Sequence, residues 1–88
     1  MIVKVKFEYD NDVDYIYCKN TKIEVESFIK WISEDKSHPF WEFDGEEYGV
    51  NFRADAIVYW LNKYKNDNAY IIKSNTDKKL NHDLLIIL

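Results

Sequence analysis

The sequence predicts an α+β domain of two layers, an antiparallel sheet with two helices on one face, in the element order ββαββαββ. Three observations predict it. Short turn signals, "DND" at 10–12 and "DG" at 44–45, sit between extended segments. Two stretches repeat apolar residues at helical spacing, Val25, Phe28, Ile29, Ile32 and Ile57, Trp60, Leu61, Tyr64. Each of these follows a hairpin signal closely, which brings both helices back over the same sheet.

The first strand is expected over 2–9. "IVKVKFEY" alternates, with Val3, Val5, Phe7 and Tyr9 on one face and Lys4, Lys6 and Glu8 on the other. Asp and Asn at 10–12 bond their own backbone and suit a turn. "VDYIYC" at 13–18 is β-branched and aromatic and reads as the returning strand. Its buried side is open at this level, since Tyr15 and Tyr17 compete with Ile16 and Cys18.

Thr21 and Glu24 have the T-x-x-E spacing of a capping box, in which hydroxyl and carboxylate each satisfy a free backbone N–H. The helix behind it should end near Glu34, and Pro39 forbids its continuation. "FWEFDGEEYG" at 40–49 then reads as a hairpin with Asp44-Gly45 in a two-residue turn. That register sets Phe43 against Glu46, Glu42 against Glu47 and Trp41 against Tyr48. Trp41, Phe43, Tyr48 and Val50 take the buried face; Phe40, Glu42, Glu47 and Gly49 take the other. Gly49 is expected at a bulge or a close backbone approach.

The second helix is expected from about Arg53 to Lys65, with Asp55 early and Lys63 and Lys65 late to suit its dipole. "NDN" at 66–68 stops it, and "AYIIK" at 69–73 is a strand. A polar loop at 74–83 leads to "LLIIL" at 84–88, apolar on both sides and therefore expected as a central strand.

Eighty-eight residues make one domain, 1–88. So short a chain buries only about 60–65% of its unfolded surface. Its 17% aromatic content compensates, because each buried ring removes about 150–250 Å² from water. Cys18 is the single cysteine, so an internal disulfide and a C-x-x-C zinc pair are both excluded. This fits a reducing, cytoplasmic setting. The N-terminus alternates apolar and charged residues rather than forming a signal sequence, and the run "LLIIL" is too short for a bilayer.

The formal charge is −4 and unevenly spread. Up to Glu47 there are twelve acids against six bases; from Tyr48 onward, four acids against six bases. Acidity at the sheet ends argues against direct nucleic-acid binding, even though exposed tyrosines (Tyr15, Tyr17, Tyr59, Tyr70) could stack bases.

Motifs for chemistry are lacking. "DNDVD" at 10–14 has the D-x-D-x-D spacing of a calcium loop, but Tyr15 and Thr21 stand where an EF-hand needs Gly and Glu. His38 and His82 have no ligand spacing and read as loop residues. Cys18 reads as a small apolar residue. Two glycines supply no phosphate-binding loop, and there is no G-x-S-x-G. The expectation is a non-enzyme without metal or cofactor.

Eight of the sixteen acids lie in or beside the two hairpin turns: Glu8, Asp10, Asp12, Asp14, Glu42, Asp44, Glu46 and Glu47. If both turns project from one end, they form an acidic edge. Such an edge suits a protein partner with a basic surface, of the kind that otherwise holds nucleic-acid phosphates. This is the logic of small inhibitors encoded by phages and mobile elements, and here it rests on charge and size. The competing classes are a small-ligand binder using an aromatic pocket between helices and sheet, and an ordinary housekeeping interaction domain.

Overall fold

The computed structural model describes residues 1–8, 12–43, 45–72 and 81–88. Among them the chain forms β1 (Ile2–Lys6), β2 (Val13–Tyr17), α1 (Val25–Glu34), β3 (Trp41–Phe43), β4 (Tyr48–Val50), α2 (Ala54–Tyr64), β5 (Tyr70–Ile71) and β6 (Leu84–Ile87). The protein is α+β, with a mixed four-stranded sheet, a separate two-stranded sheet and two helices among the described residues. None of those helices is long and apolar enough to cross a membrane.

The main sheet has the order β5-β2-β1-β6. β1 pairs antiparallel with β2, and β2 antiparallel with β5. β6 runs parallel to β1, so the expected all-antiparallel sheet is mixed instead. A two-residue turn forces antiparallel neighbours; the long segment between Ile71 and Leu84 imposes no such constraint and allows a crossover to the far edge. β6 is accordingly an edge strand and not the expected central one. Ile86 is 3% exposed while Leu85 and Ile87 are 45% and 62% exposed. An apolar run on both sides of a strand does not by itself secure cover for both.

Alternation decides which face is inside. Val3, Val5, Ile16 and Ile86 are almost wholly buried and meet Phe28, Ile32, Ile57 and Leu61 of the helices in one core. The open question at β2 is thereby resolved: Ile16 and Cys18 point in, Tyr17 points out. The expected helical stripes hold at Phe28, Ile32, Ile57, Trp60 and Leu61, whereas Ile29 and Tyr64 at their margins are exposed. Ala54 and Ala56 are also buried, and their small side chains let α2 approach the sheet closely. Tyr9 lies outside the described residues.

The capping box does not form. α1 begins at Val25 with Glu24 as its N-cap, and no side chain caps it. The Ser27 hydroxyl donates to the Glu24 carboxylate at 3.1 Å instead. Ile23 packs against the core, which fixes the entry of the chain and leaves Thr21 exposed.

The second hairpin has a different register from the expected one. Trp41 faces Val50, Glu42 faces Gly49 and Phe43 faces Tyr48. Four residues, 44–47, join the strands rather than two. Gly45 has φ +100°, the conformation for which glycine was required there. The shift is by two residues, so the sharing of sides survives, but burial does not follow it. Phe43 and Tyr48 are 66% and 63% exposed, and Phe40 is buried although expected outside. The hairpin docks through its base and its tip stands clear of the helices. Phe40 fills the base, its ring edge-on to Tyr59 at 5.5 Å. Glu42 and Glu47 are not opposite each other; Glu42 accepts a hydrogen bond from Asn51 Nδ2 at 3.1 Å. Gly49 pairs normally, and a Cβ there would meet open space, so neither bulge nor close approach exists.

Candidate functional site

A groove of about 680 Å³ opens where β1 ends, β2 begins and α2 starts. Its apolar wall comes from Phe7, Ile29, Phe52, Ile71, Ile87 and Leu88. Among the described residues its charged rim comes from Glu8, Asp12, Asp14 and Asp55, against one base, Arg53. The local sequence explains each position. Asp14 is opposite Val5, so it lies on the inward side of β2, at the end where the core runs out. Asp55 occupies the first turn of α2, where a carboxylate suits the helix dipole. Glu8 is held by its backbone, its N–H donating to the Leu88 carbonyl at 2.7 Å. Burial raises the Asp14 carboxyl above the usual carboxylate range, and the charges of Asp55 and Asp12 push it further the same way.

Three of the eight acids singled out by the sequence, Glu8, Asp12 and Asp14, therefore meet in this groove. Glu42 is nearby in the sense that its partner Asn51 lines the wall. Glu46 and Glu47 are exposed in the β3–β4 connection and are not among the described residues that line the groove. Asp10 and Asp44 lie outside the described residues. Asp55 was missed: the sequence marks it only as a first-turn acid, and its approach to Asp14 depends on how α2 crosses the sheet. No group of three or more His, Cys, Asp or Glu among the described residues is placed to hold a metal ion.

His38 is more than a loop residue. It is 4% exposed, and its ring bridges the end of α1 to the hairpin. The Phe40 N–H can only donate, so Nδ1 accepts it at 3.1 Å and Nε2–H donates to the Ile32 carbonyl at 2.7 Å. Trp31 and Trp41 flank the ring at 4.7 and 5.7 Å, and Tyr48 stacks on Trp41 at 5.6 Å. The Trp41 indole donates to the Asp35 carbonyl at 2.8 Å, and Lys36 Nζ sits 3.6 Å above the Trp41 ring. These rings fill one another's space, so the aromatic surplus packs as a ladder that fastens the hairpin. Cys18 is fully buried, and burial pushes its thiol up, as suits a small apolar residue.

Asp67 is a second residue whose role the sequence hid. It is buried just past α2 and accepts from the Lys19 N–H at 2.8 Å, the Asn20 N–H at 3.0 Å, Asn20 Nδ2 at 2.6 Å and its neighbour Asn68 N–H at 2.7 Å. Burial alone would raise this carboxyl, but the donors outweigh it and hold it below the ordinary range. Asn66, with φ 52°, turns the chain so that Asp67 can reach β2.

The outer face of the main sheet is a third surface. Strand registers set its residues in rows: Tyr70, Tyr17 and Ile2 in one, Tyr15, Lys4 and Leu85 in the next, and Val13, Lys6 and Ile87 in the last. Among the described residues, five of the ten exposed large apolar side chains, Val13, Tyr17, Tyr70, Leu85 and Ile87, belong to this one face. No protein-family model matches the chain, and no curated protein or solved structure matches it.

Proposed function

We propose that this protein is a non-enzymatic binding module whose acid-rimmed groove receives a basic segment of a partner protein. The observation that carries the reading is the groove itself: four carboxylates and one arginine over an apolar wall. Such a site favours a side chain with an apolar stem and a cationic head, which describes Lys and Arg. Asp14 gains most from such a guest, since burial and the charge of Asp55 both raise the cost of charging it. The inhibitor form of the proposal, in which the module occupies a phosphate-binding surface of a cytoplasmic nucleic-acid enzyme, rests on the same complementarity. It assumes the two-layer arrangement, with α1 and α2 on one side of the main sheet, which the one-sided burial of β1 and β2 supports. A second reading, a small organic cation as ligand, is favoured by the cavity size, which lies within the roughly 300–1,000 Å³ range of small-molecule sites.

The test is capture of the partner from host lysate, then affinity of the purified pair at low and high salt. Exposed charges are screened beyond about 8 Å at physiological ionic strength, so binding should weaken with salt. Asp14→Asn and Asp55→Asn should weaken it further, while Glu46→Gln and Glu47→Gln should act mainly on the association rate. Binding that ignores both salt and the groove variants refutes the proposal. Saturable NMR shifts at the groove with arginine amide alone, without a protein partner, would favour the second reading.

A further inference from the structure

We infer that the outer face of the main sheet binds single-stranded nucleic acid, through the neighbouring rings of Tyr17 and Tyr70 and, in the adjoining rows, Tyr15, Lys4 and Lys6. The acidic character of the sequence argues against this use, but the fold separates the charges. Asp14 points to the inward side of β2, while Glu8 follows Lys6 on the outer side, one step past the last row and at the rim of the groove. The three rows across the outer face carry two lysines and no carboxylate. Asp83 stands beyond one corner, where its carboxylate accepts from the Ile2 N–H at 2.9 Å.

The rings are available for stacking. Tyr17 and Tyr70 are cross-strand neighbours with centroids 5.3 Å apart, and they are 37% and 55% exposed. Bases stack on such rings whatever their identity, because every base has a π-face. Lys4 and Lys6 lie one strand away from the tyrosine strand, at the distance of a sheet neighbour, where phosphates of a crossing strand would pass.

Size argues for this occupant over a second copy of the chain. Four strands at about 4.8 Å spacing and five residues at about 3.4 Å rise give a face of roughly 330 Å² in projection. A stable protein dimer covers about 800 Å² per partner. The sheet face fits two or three stacked bases, as sheet-type binders take. The two lysines also disfavour a like-charged copy of the same face.

The experiment is fluorescence anisotropy of a short labelled oligouridylate at low salt, with the duplex of the same length and an oligoglutamate peptide as further probes. The expected result is a saturable rise with the single strand alone. Tyr17→Ala and Tyr70→Ala should each weaken it about 5- to 150-fold, while Tyr17→Phe retains it. The slope of log affinity against log salt should be about −1.4 for two phosphate contacts, and Lys4→Gln should shrink it. Thermal melts of the tyrosine variants show whether each remains folded, and Tyr70 lies on the edge strand β5, where truncation disturbs the core least. Absence of a rise with the single strand overturns the inference. So does preference for oligoglutamate, which would assign the face to an acidic peptide, and so does binding that both alanine variants leave unchanged.

Discussion

Asp67→Ala removes the acceptor of four hydrogen bonds that tie the end of α2 to the end of β2. Hydrogen bonds to a charged acceptor contribute about 1.5–3 kcal/mol each, but Lys19 and Asn68 are exposed and water can replace the carboxylate there. The loss falls mainly on the two donors of half-buried Asn20, and the expected cost is about 2–4 kcal/mol. A domain of 88 residues is stable by only about 4–13 kcal/mol, so this is a large fraction. The assay is urea unfolding followed by tryptophan fluorescence. Asp67→Asn should fall between wild type and alanine, because it keeps one acceptor oxygen and turns an NH₂ toward the remaining donors. The pH dependence follows from the lowered carboxyl. A group whose folded value lies below its unfolded value stabilises above the unfolded value, about 3.9, and loses that contribution as pH falls through the folded one. The wild-type advantage over Asp67→Asn should therefore hold at neutral pH and shrink in acid. A loss under about 0.5 kcal/mol for Asp67→Ala would show that the clamp is idle.

Asp14 should behave in the opposite sense. Its folded carboxyl is raised, so stability falls as pH climbs from the unfolded value through the folded one. Asp14→Asn should melt higher than wild type at neutral pH, with the gap closing in acid, in melting curves across pH. Phe28→Ala, Ile32→Ala, Ile57→Ala and Leu61→Ala should each cost about 2–5 kcal/mol in urea unfolding, since all four side chains are essentially inaccessible. Gly45→Val should cost about 1–2 kcal/mol through its positive φ alone, as nothing lies near its Cβ position. Gly49→Ala should instead gain about 0.5–1 kcal/mol in the same assay, the reverse of what a close backbone approach would give.

Periodicity alone determined the elements that have it. Val3 and Val5 alternate with lysines, and the stripes through Phe28, Ile32, Ile57 and Leu61 recur at helical spacing, so strand, helices and core were legible before any contact was known. Gly45 was legible for a similar local reason, since few other residues tolerate its backbone angle. Tertiary structure decided whatever depends on where an element lands. "LLIIL" has the same pattern at the centre of a sheet as at an edge, and only the crossover to β1 made it an edge. The hairpin register moved by two residues because the buried Phe40 and the His38 bridge anchor its base, which no turn rule contains. Asp55 reached Asp14, and Asp67 reached Asn20, across 41 and 47 positions of chain. Pairings of that separation are set by how helices cross a sheet, and a sequence read one window at a time carries the side chains but not their meeting.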